Sequence, residues 1–245
     1  MNNPSVALIV PFVTYNPYVE ECIQHCLHVH YPSFTLMLLP DDDFGIPPSY
    51  RSNSRIQIIV TGNKNISQKR NMGIEAYKTD FYAFIDSDAF PRPEWLHHTL
   101  RNFSKEIWAV GGPNICPPKE SKYEKAVGNA LKSILVSGTR NFRKKKSKSR
   151  FCSDLPTCNL VIKREVFDTL GGFNEQLFTG EDIELCTRIV KHGEKIYFEK
   201  EAVVYHHNRP LFVPYCLQRI TYGVSVFRLF RESPNFMNLY LFIPL

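Results

Sequence analysis

Residues 81–90 most constrain the fold, because an aromatic-rich apolar run ends abruptly in two acids, Asp86 and Asp88. An apolar run bounded by polar residues is typical of a buried strand. Open α/β sheets bind ligands at the carboxyl ends of their strands, where these acids would lie. Two carboxylates there suit a hard divalent cation, and a cation suits a diphosphate. A polar strand end is the plain alternative, so the pair gains weight from the segments around it.

Strand and helix patterns alternate through the first half of the chain. Short apolar runs are separated by segments whose apolar residues recur at helical spacing. This alternation predicts an α/β fold with a mostly parallel, Rossmann-like central sheet flanked by helices. The predicted strands cover residues 6–12, 34–39, 56–60 and 81–85, and the predicted helices cover residues 18–29 and 66–77.

The second half is less regular and predicts a smaller region beside the main sheet. A Gly171-Gly172 pair marks a turn within it. The predicted strands cover residues 107–110, 159–162, 196–198 and 203–205, and the predicted helices cover residues 123–135, 181–191 and, with an amphipathic pattern, 211–232.

Composition indicates a globular protein with a full core, since 43% of the 245 residues are hydrophobic and 22% are charged. The seven cysteines include no Cys-x-x-Cys pair and no zinc spacing, which favours reduced thiols in a cytosolic protein. We expect no signal peptide and no transmembrane stretch within the sequence. The apolar residues 233–245 suggest a tail that leads into a membrane segment.

A basic run at residues 140–150 holds seven Lys or Arg residues and no acid, and it contributes much of the net charge of +6. A mobile loop is the expected structure. Its function is left open between a solvated loop and contact with an anionic membrane. Nucleic acid is not an expected partner, because few aromatics are interleaved and no nucleic-acid fold signature accompanies the run.

Two further segments of the first half carry candidate binding residues. Asp41 and Asp42 follow the second strand, where a carboxylate could accept hydrogen bonds from a uridine, although acids also suit plain turns. Lys69 and Arg70 lie in the first turns of a helix, near its positive end, which is a reasonable anion site. A solvated basic helix is the alternative.

The second half carries candidate catalytic and metal-binding residues. Glu181 and Asp182 stand at a helix start, where acids serve as caps, or where a positioned acid could act as a general base. His206 ends a short strand and could complete a metal shell as a neutral imidazole, with His207 in reserve. A single histidine is more often structural, and only the acid pair at residues 86–88 makes this one a candidate ligand.

Taken in order, these segments resemble glycosyltransferase family 2, the inverting enzymes of the GT-A fold. Each motif is weak alone, but their order and spacing over about residues 5–210 are specific. The matching segments are residues 7–11, 40–43, 68–74, Phe84-Ile-Asp-Ser-Asp88, 93–96, 159–164, 171–175, Gly180-Glu-Asp-Ile-Glu-Leu185 and 204–206.

The resemblance implies a single GT-A domain over residues 1–232, with a nucleotide-binding half at about 5–115 and an acceptor-binding half at about 116–210. It also implies roles for individual residues. Asp182 would be the catalytic base, with Glu181 beside it. Asp86, Asp88 and His206 would hold Mn²⁺ or Mg²⁺. The nucleotide-sugar, most simply a UDP-sugar, would lie against Pro11, Asp41 or Asp42, Lys69, Arg70, Asp86, Ser87 and Asp88.

The implied reaction moves one sugar to a hydroxyl of a glycan or lipid-linked acceptor, with inversion at the anomeric carbon. The Gln-x-x-Arg-Trp motif of processive synthases is not visible, which favours single-sugar transfer over polymer synthesis. Pro40 stands where the family usually has its first acid, so the uracil contact is open between Asp41 and Asp42. A membrane-associated bacterial or archaeal enzyme at the inner face of the cell membrane is the expected setting.

Two alternatives remain. A nucleotidyltransferase would share the α/β sheet, but no glycine-rich phosphate loop follows the first strand. A non-catalytic sugar- or partner-binding module would share the whole fold, although the intact acids Asp86, Asp88 and Asp182 favour an enzyme.

Overall fold

The computed structural model describes residues 3–145, 147–177 and 179–208, together with residues 216, 217, 220, 223 and 224. The strands are β1 (Val6–Pro11), β2 (Phe34–Leu39), β3 (Ile56–Ile58), β4 (Phe81–Phe84), β5 (Ala89–Pro91), β6 (Ile107–Gly111), β7 (Asn114–Ile115), β8 (Arg150–Cys152), β9 (Leu160–Lys163), β10 (Lys195–Phe198) and β11 (Val204–His206). The helices are α1 (Pro17–Leu27), α2 (Pro48–Arg51), α3 (Ile66–Ala76), α4 (Trp95–Leu100), α5 (Lys122–Leu131), α6 (Ile134–Ser137), α7 (Arg164–Leu170) and α8 (Glu181–Lys191).

Eight strands form one central sheet in the order β3-β2-β1-β4-β9-β6-β10-β8. Strand β9 runs antiparallel to both β4 and β6, and β8 runs antiparallel to β10. The other six strands share one direction, because β3, β2, β1 and β4 pair in parallel and so do β6 and β10. The predicted α/β fold with a mostly parallel sheet is confirmed.

Both faces of the sheet are covered, as the continuous apolar strands require. In β1, Val6, Leu8 and Val10 face the core that contains α1, while Ala7 and Ile9 face the core that contains α8. Cys22 and Cys26 are buried on α1, as their helical spacing predicts. The alternation of side chains along β1 therefore joins two hydrophobic layers through one strand.

Local sequence explains where the two helices of the first half begin. The Asn16 side chain accepts hydrogen bonds from the first backbone N–H groups of α1, and Pro17 takes the first helical position. Asn65 and Gln68 form a reciprocal capping box at the start of α3. This cap sets the helix so that Lys69 and Arg70 lie one turn in, both of them buried.

A second, three-stranded sheet has the order β5-β11-β7. Its strand β11 pairs antiparallel with β5, with His206 opposite Ala89, and parallel with β7. Because β5 follows Asp88 directly, this small sheet carries His206 back to the edge where β4 ends. Its strands are two or three residues long, and the sequence pattern predicts only β11 among them.

The prediction of one helix over residues 123–135 is wrong in its second part. Helix α5 ends at Leu131, and the Ser133 side chain caps a separate short helix, α6, by accepting from Leu135 N. Gly138, at φ 55°, then ends α6. A serine that can cap a new turn competes here with continuation of the helix.

The prediction of a loop for the basic run, residues 140–150, is wrong at the two ends of the run. Residues 138–144 form a 3₁₀ helix, and Arg150 begins the edge strand β8. The guanidinium groups of Arg140 and Arg143 lie 3.1 and 2.9 Å from Asp154 Oδ2, and Arg143 is buried. Two of the seven basic residues therefore pair inside the protein with an acid that lies outside the run.

Of the amphipathic helix predicted at residues 211–232, the structure describes residues 216, 217, 220, 223 and 224, all of them helical. The rest of that helix and the predicted apolar tail at residues 233–245 lie outside the described residues. Among the described residues, none of the helices has the length and apolar character that a membrane crossing would need.

Candidate functional site

Asp86 and Asp88 lie in the turn that joins β4 to β5, at the carboxyl end of the parallel strands. Ala89 N donates to Asp86 O at 3.0 Å, and His207 N donates to Asp88 O at 3.0 Å, so the turn is held from both sides. Ser87 lies half-buried between the two acids. The predicted placement of the pair at a sheet edge is confirmed.

His206 faces both acids from strand β11. Its Nε2 lies 3.5 Å from Asp88 Oδ1 and 3.8 Å from Asp86 Oδ2. Its Nδ1 is buried without a hydrogen-bond partner among the described residues. One imidazole nitrogen thus lies within 3.8 Å of a carboxylate oxygen of each acid, and this donor set fits a divalent cation such as Mn²⁺.

Neighbouring charges shift the pKa values of Asp86 and His206. Burial alone would raise the pKa of Asp86, but His206 and Arg70 hold it below its ordinary value. Burial alone would lower the pKa of His206, but the Asp88 and Asp86 carboxylates raise it. The two carboxylates therefore favour the protonated form of His206.

His207 points away from this edge. Its Nδ1 lies 2.6 Å from Glu120 Oε1, and its Nε2 lies 2.7 Å from Glu21 Oε2. Its ring also packs against Tyr18, with 4.7 Å between ring centroids. Because both ring nitrogens are engaged by other acids, the geometry favours His206 over His207 as a ligand.

Arg70 links the acid pair to the start of helix α8. The side chain is buried, at 1% exposure, and its two terminal nitrogens lie 3.1 Å from Asp86 Oδ1 and 2.6 Å from Glu181 Oε1. Its guanidinium also stacks over the Phe173 ring at 5.5 Å. The alternative of a solvated basic helix is wrong for this residue, because opposite charges from two distant segments surround it.

Lys69 is buried beside Arg70, and its ammonium contacts the carboxylate of Asp41 and the backbone carbonyl of Phe12. Asp42 is exposed instead, and its Oδ1 accepts from Phe44 N at 2.9 Å within its own turn. Pro11 ends β1 opposite Leu39, directly before this group. Of the two acids left open by the sequence, Asp41 is the one that joins the buried cluster.

Glu181 and Asp182 begin helix α8 after Gly180, which adopts a left-handed backbone conformation at φ 84°. Glu181 is buried and paired with Arg70. Burial and the neighbouring Glu181 carboxylate raise the pKa of Asp182 to about 7. An aspartate that ionises near neutrality is suited to remove a proton from a hydroxyl group, whereas Glu181 is occupied by its ion pair.

Cys158 is a residue of this site that the sequence pattern did not indicate. Its sulfur, a carboxylate oxygen of Asp86 and a ring nitrogen of His206 all lie within 4.8 Å of one another. Burial raises the pKa of the Cys158 thiol to about 12. The sequence offered no signal for this contact, because no other cysteine or histidine lies at a metal-binding spacing from residue 158.

Comparison with known proteins places these features in a family. The sequence profile of the family described as "Glycosyltransferase like family 2" matches residues 4–220. A pre-mycofactocin glycosyltransferase of Mycobacterium tuberculosis is 31% identical over 173 residues, which make up 71% of this chain and 36% of that relative. The chain thus matches little more than a third of the length of this relative.

Two solved structures share the fold. The mannosyltransferase PcManGT of Pyrobaculum calidifontis, in complex with GDP-Man and Mn²⁺, superposes with a TM-score of 0.70 at 17% identity, over 96% of this chain and 65% of that chain. GalNAc-T7 with UDP, GalNAc and Mn²⁺ superposes with a TM-score of 0.66 at 13% identity, over 86% of this chain and 45% of that chain. The match of the family profile to most of its length shows that the chain belongs to glycosyltransferase family 2, with the GT-A fold.

Proposed function

We propose that this protein is a metal-dependent inverting glycosyltransferase that moves one sugar from a nucleotide-sugar, most simply a UDP-sugar, to a hydroxyl acceptor. The observation that carries the proposal is the position of His206 Nε2 within 3.8 Å of a carboxylate oxygen of both Asp86 and Asp88, at the carboxyl end of β4. The Arg70–Glu181 ion pair connects this edge to helix α8, which presents Asp182.

The donor side of the site follows from these contacts. Asp86, Asp88 and His206 would hold Mn²⁺ or Mg²⁺, and such an ion neutralises charge on a departing diphosphate. Lys69 fixes Asp41 beside the end of β1, near Pro11. The Asp41 carboxylate could accept from the ring N–H of uracil, and equally from that of guanine, so the base needs a direct test.

The acceptor side depends on Asp182. Its ionised carboxylate takes the proton of the acceptor hydroxyl, and the oxygen then bonds to the anomeric carbon of the donor sugar. The bond from that carbon to the diphosphate breaks on the opposite face, so the configuration inverts. No covalent bond to the protein forms in this single displacement.

Titration calorimetry with UDP and GDP, each with and without Mn²⁺, tests the donor site. Wild-type protein should bind UDP or GDP, and this binding should require Mn²⁺. The Asp88→Ala variant should bind the same nucleotide at least about tenfold more weakly, because it lacks a charged cation ligand. Asp168→Ala serves as the control, because this acid is exposed and pairs with Arg164 on helix α7. Equal metal-dependent affinity in Asp88→Ala and wild type would contradict the proposal.

A companion pair of variants tests the base contact. Asp41→Asn should weaken nucleotide binding, whereas Asp42→Asn should leave it unchanged, because Asp42 only caps its own turn. The reverse result would move the base contact to Asp42.

The proposal extends to an acceptor at an anionic membrane surface, with the protein at its cytoplasmic face. The membrane-facing element would be the arm formed by helices α5 and α6 (residues 122–137), in which Ile134 and Leu135 of α6 are 63% and 80% exposed. Lys122, Lys125 and Lys132 are exposed and recur at helical spacing on the same arm. Exposed apolar side chains beside lysines are the pattern that favours a negatively charged lipid surface.

A further inference from the structure

A buried cysteine sulfur lies close to the proposed cation ligands Asp86 and His206. Cys158 Sγ lies within 4.8 Å of both an Asp86 carboxylate oxygen and a His206 ring nitrogen. The cysteine is 4% exposed, and within the protein its sulfur lies 3.0 Å from the side-chain amide of Asn114. Three donors of different chemical type, from the 3₁₀ turn before β9, from β11 and from the β4–β5 turn, therefore lie within 4.8 Å of one another.

The position of the sulfur is set by rigid neighbours. Cys158 lies in the 3₁₀ turn Thr157–Asn159, directly before β9, and β9 pairs with β4 so that Leu160 lies opposite Phe84. The next residue, Asn159, donates to Pro113 O at 3.0 Å and to Ala202 O at 2.8 Å. Because both β9 and this asparagine are anchored, the thiol stays beside the acid pair rather than turning away.

A thiol adds a donor that hard ions do not use. Mg²⁺ and Mn²⁺ favour carboxylate, carbonyl and water oxygens, whereas Zn²⁺ accepts sulfur, imidazole and carboxylate together. Tetrahedral Zn²⁺ bound at 2.0–2.3 Å places its ligand atoms roughly 3.5 Å apart, so the three donors would need to draw together by about 1 Å. Sites with three protein ligands and one open position are well known for this ion.

We propose that Cys158, His206 and Asp86 form a second donor set that binds a soft divalent ion such as Zn²⁺, and that this binding excludes Mn²⁺ or Mg²⁺ from the same edge. The two modes are mutually exclusive because His206 and Asp86 belong to both. On binding, the Cys158 thiol loses its proton to the solvent as the metal–sulfur bond forms, and no electron is transferred. Affinity at shared N and O ligands already rises from Mn²⁺ to Zn²⁺, and the sulfur adds to that preference.

Titration with Cd²⁺ as a spectroscopic substitute for Zn²⁺ tests this set without any nucleotide. One equivalent should produce the ultraviolet sulfur-to-cadmium charge-transfer band in a Cys216→Ser background, which removes the exposed thiol. The band should disappear in Cys158→Ser. In His206→Ala, the apparent affinity for Cd²⁺ should fall at least tenfold. It should persist in Cys152→Ser, a matched control on the edge strand β8. A band that persists in Cys158→Ser, or no band at one equivalent, would overturn the proposal.

X-ray absorption of the wild-type protein with one equivalent of Zn²⁺ gives a reading that needs no variant to fold. A single sulfur at about 2.3 Å together with nitrogen or oxygen ligands is expected. A shell of only nitrogen and oxygen would overturn the assignment of Cys158. Neither measurement depends on sugar transfer, so the metal site can be confirmed even if the proposed glycosyltransferase activity is not.

One consequence rests on the proposed function. If the protein transfers sugar with Mn²⁺, Zn²⁺ at equal concentration should inhibit the wild type at least tenfold, and it should inhibit Cys158→Ser several-fold less, each protein being compared with its own rate without Zn²⁺. Inhibition of equal extent in wild type and Cys158→Ser would show that Zn²⁺ acts without the thiol and would contradict the exclusion.

Discussion

At the scale of single residues, the ion pair network of Arg70 determines how the two sides of the site are joined. One buried guanidinium is neutralised by Asp86 after β4 and by Glu181 at the start of α8. Removing a partner from such a network leaves an uncompensated charge in a poorly solvated place. The network therefore contributes to stability as well as to the shape of the site.

Arg70→Met should lower the free energy of unfolding by about 3–5 kcal/mol, because Glu181 would remain buried without its partner. Urea denaturation measures the loss. Arg164→Met is the matched control, because Arg164 forms an exposed ion pair with Asp168 and should cost at most about 1 kcal/mol. Similar losses in the two variants would show that the buried Arg70–Glu181 pair stabilises the fold no more than the exposed Arg164–Asp168 pair does.

Asp182 gives a prediction for the pH dependence of transfer. Its pKa of about 7 means that the ionised base accumulates as the pH rises through neutrality, so kcat should increase up to about pH 7 and then level off. Asp182→Asn should lower kcat by about 10²–10⁴-fold and abolish that inflection, while nucleotide binding is retained. Steady-state rates from pH 5 to 9 check this, and an unchanged inflection in the variant would exclude Asp182 as the base.

The same carboxyl gives an independent prediction for stability. The pKa of Asp182 is raised to about 7 in the folded protein, whereas an unfolded aspartate has a pKa of about 4, so the stability that this carboxyl contributes below about pH 4 is lost progressively as the pH rises to about 7. Asp182→Asn has no charge to bury, and above pH 7 its Tm should exceed that of wild type. The difference should shrink below pH 7 in thermal unfolding monitored by circular dichroism. A constant difference across this range would show that titration of Asp182 is not its cause.

At the scale of elements, the end of β6 closely approaches the backbone of two other segments, the turn before β9 and the loop before β11. A Cβ on Gly111 would lie 2.1 Å from Asn159 O, and one on Gly112 would lie 2.0 Å from Ala202 O. The Asn159 side chain fills the adjoining space, where its Oδ1 accepts from Trp95 Nε1 at 2.8 Å. This close approach brings Cys158, just before β9, to the acid pair.

Gly112→Ala should therefore be destabilising by about 2–3 kcal/mol, because its methyl group meets backbone that cannot move without shifting the strand ends. Gly73→Ala is the control, since its methyl would meet only the end of the Leu39 side chain at 3.0 Å and the Ile9 side chain at 3.3 Å. Alanine is also the better residue inside helix α3. Chemical denaturation of both variants measures the difference, and equal effects would contradict the backbone argument.

At the scale of the whole molecule, the positive charge is divided between internal and external roles. Arg140 and Arg143 of the basic run pair with Asp154, whereas the exposed Lys122 and Lys125 of α5 belong to the same α5–α6 arm as the exposed Ile134 and Leu135. The surface proposed to contact lipid is therefore the α5–α6 arm rather than the basic run as a whole.

Vesicle flotation tests that surface. The protein should float with phosphatidylserine vesicles and not with phosphatidylcholine vesicles, and added salt should release it, since each lysine near an anionic surface is worth about 1 kcal/mol. Ile134→Ser combined with Leu135→Ser should reduce the bound fraction several-fold without changing Tm, because both side chains are exposed. Val190→Ser is the control for an exposed apolar residue on helix α8. Equal loss in the control would show that exposed apolar surface in general, and not this arm, is responsible.

Local sequence determined the fold class, the positions of β1, β2, β4, α1, α3 and α8, and the placement of Asp86 and Asp88 at a strand end. Hydrophobic period, caps and the ends of apolar runs act between near neighbours, so they can be read along the chain. The short strands of the second sheet and the structure of the basic run could not be predicted in this way, because they form only through pairing with segments that are distant in the chain.

Tertiary structure alone decided that β9 enters the sheet antiparallel between β4 and β6, and that Arg70 meets Glu181, 111 positions later in the chain. The thiol of Cys158 lies near Asp86 and His206 for the same reason. These contacts depend on strand pairing and on charge neutralisation between distant segments, and the free energy of each depends on the environment of both partners. No pattern within a single segment records that environment.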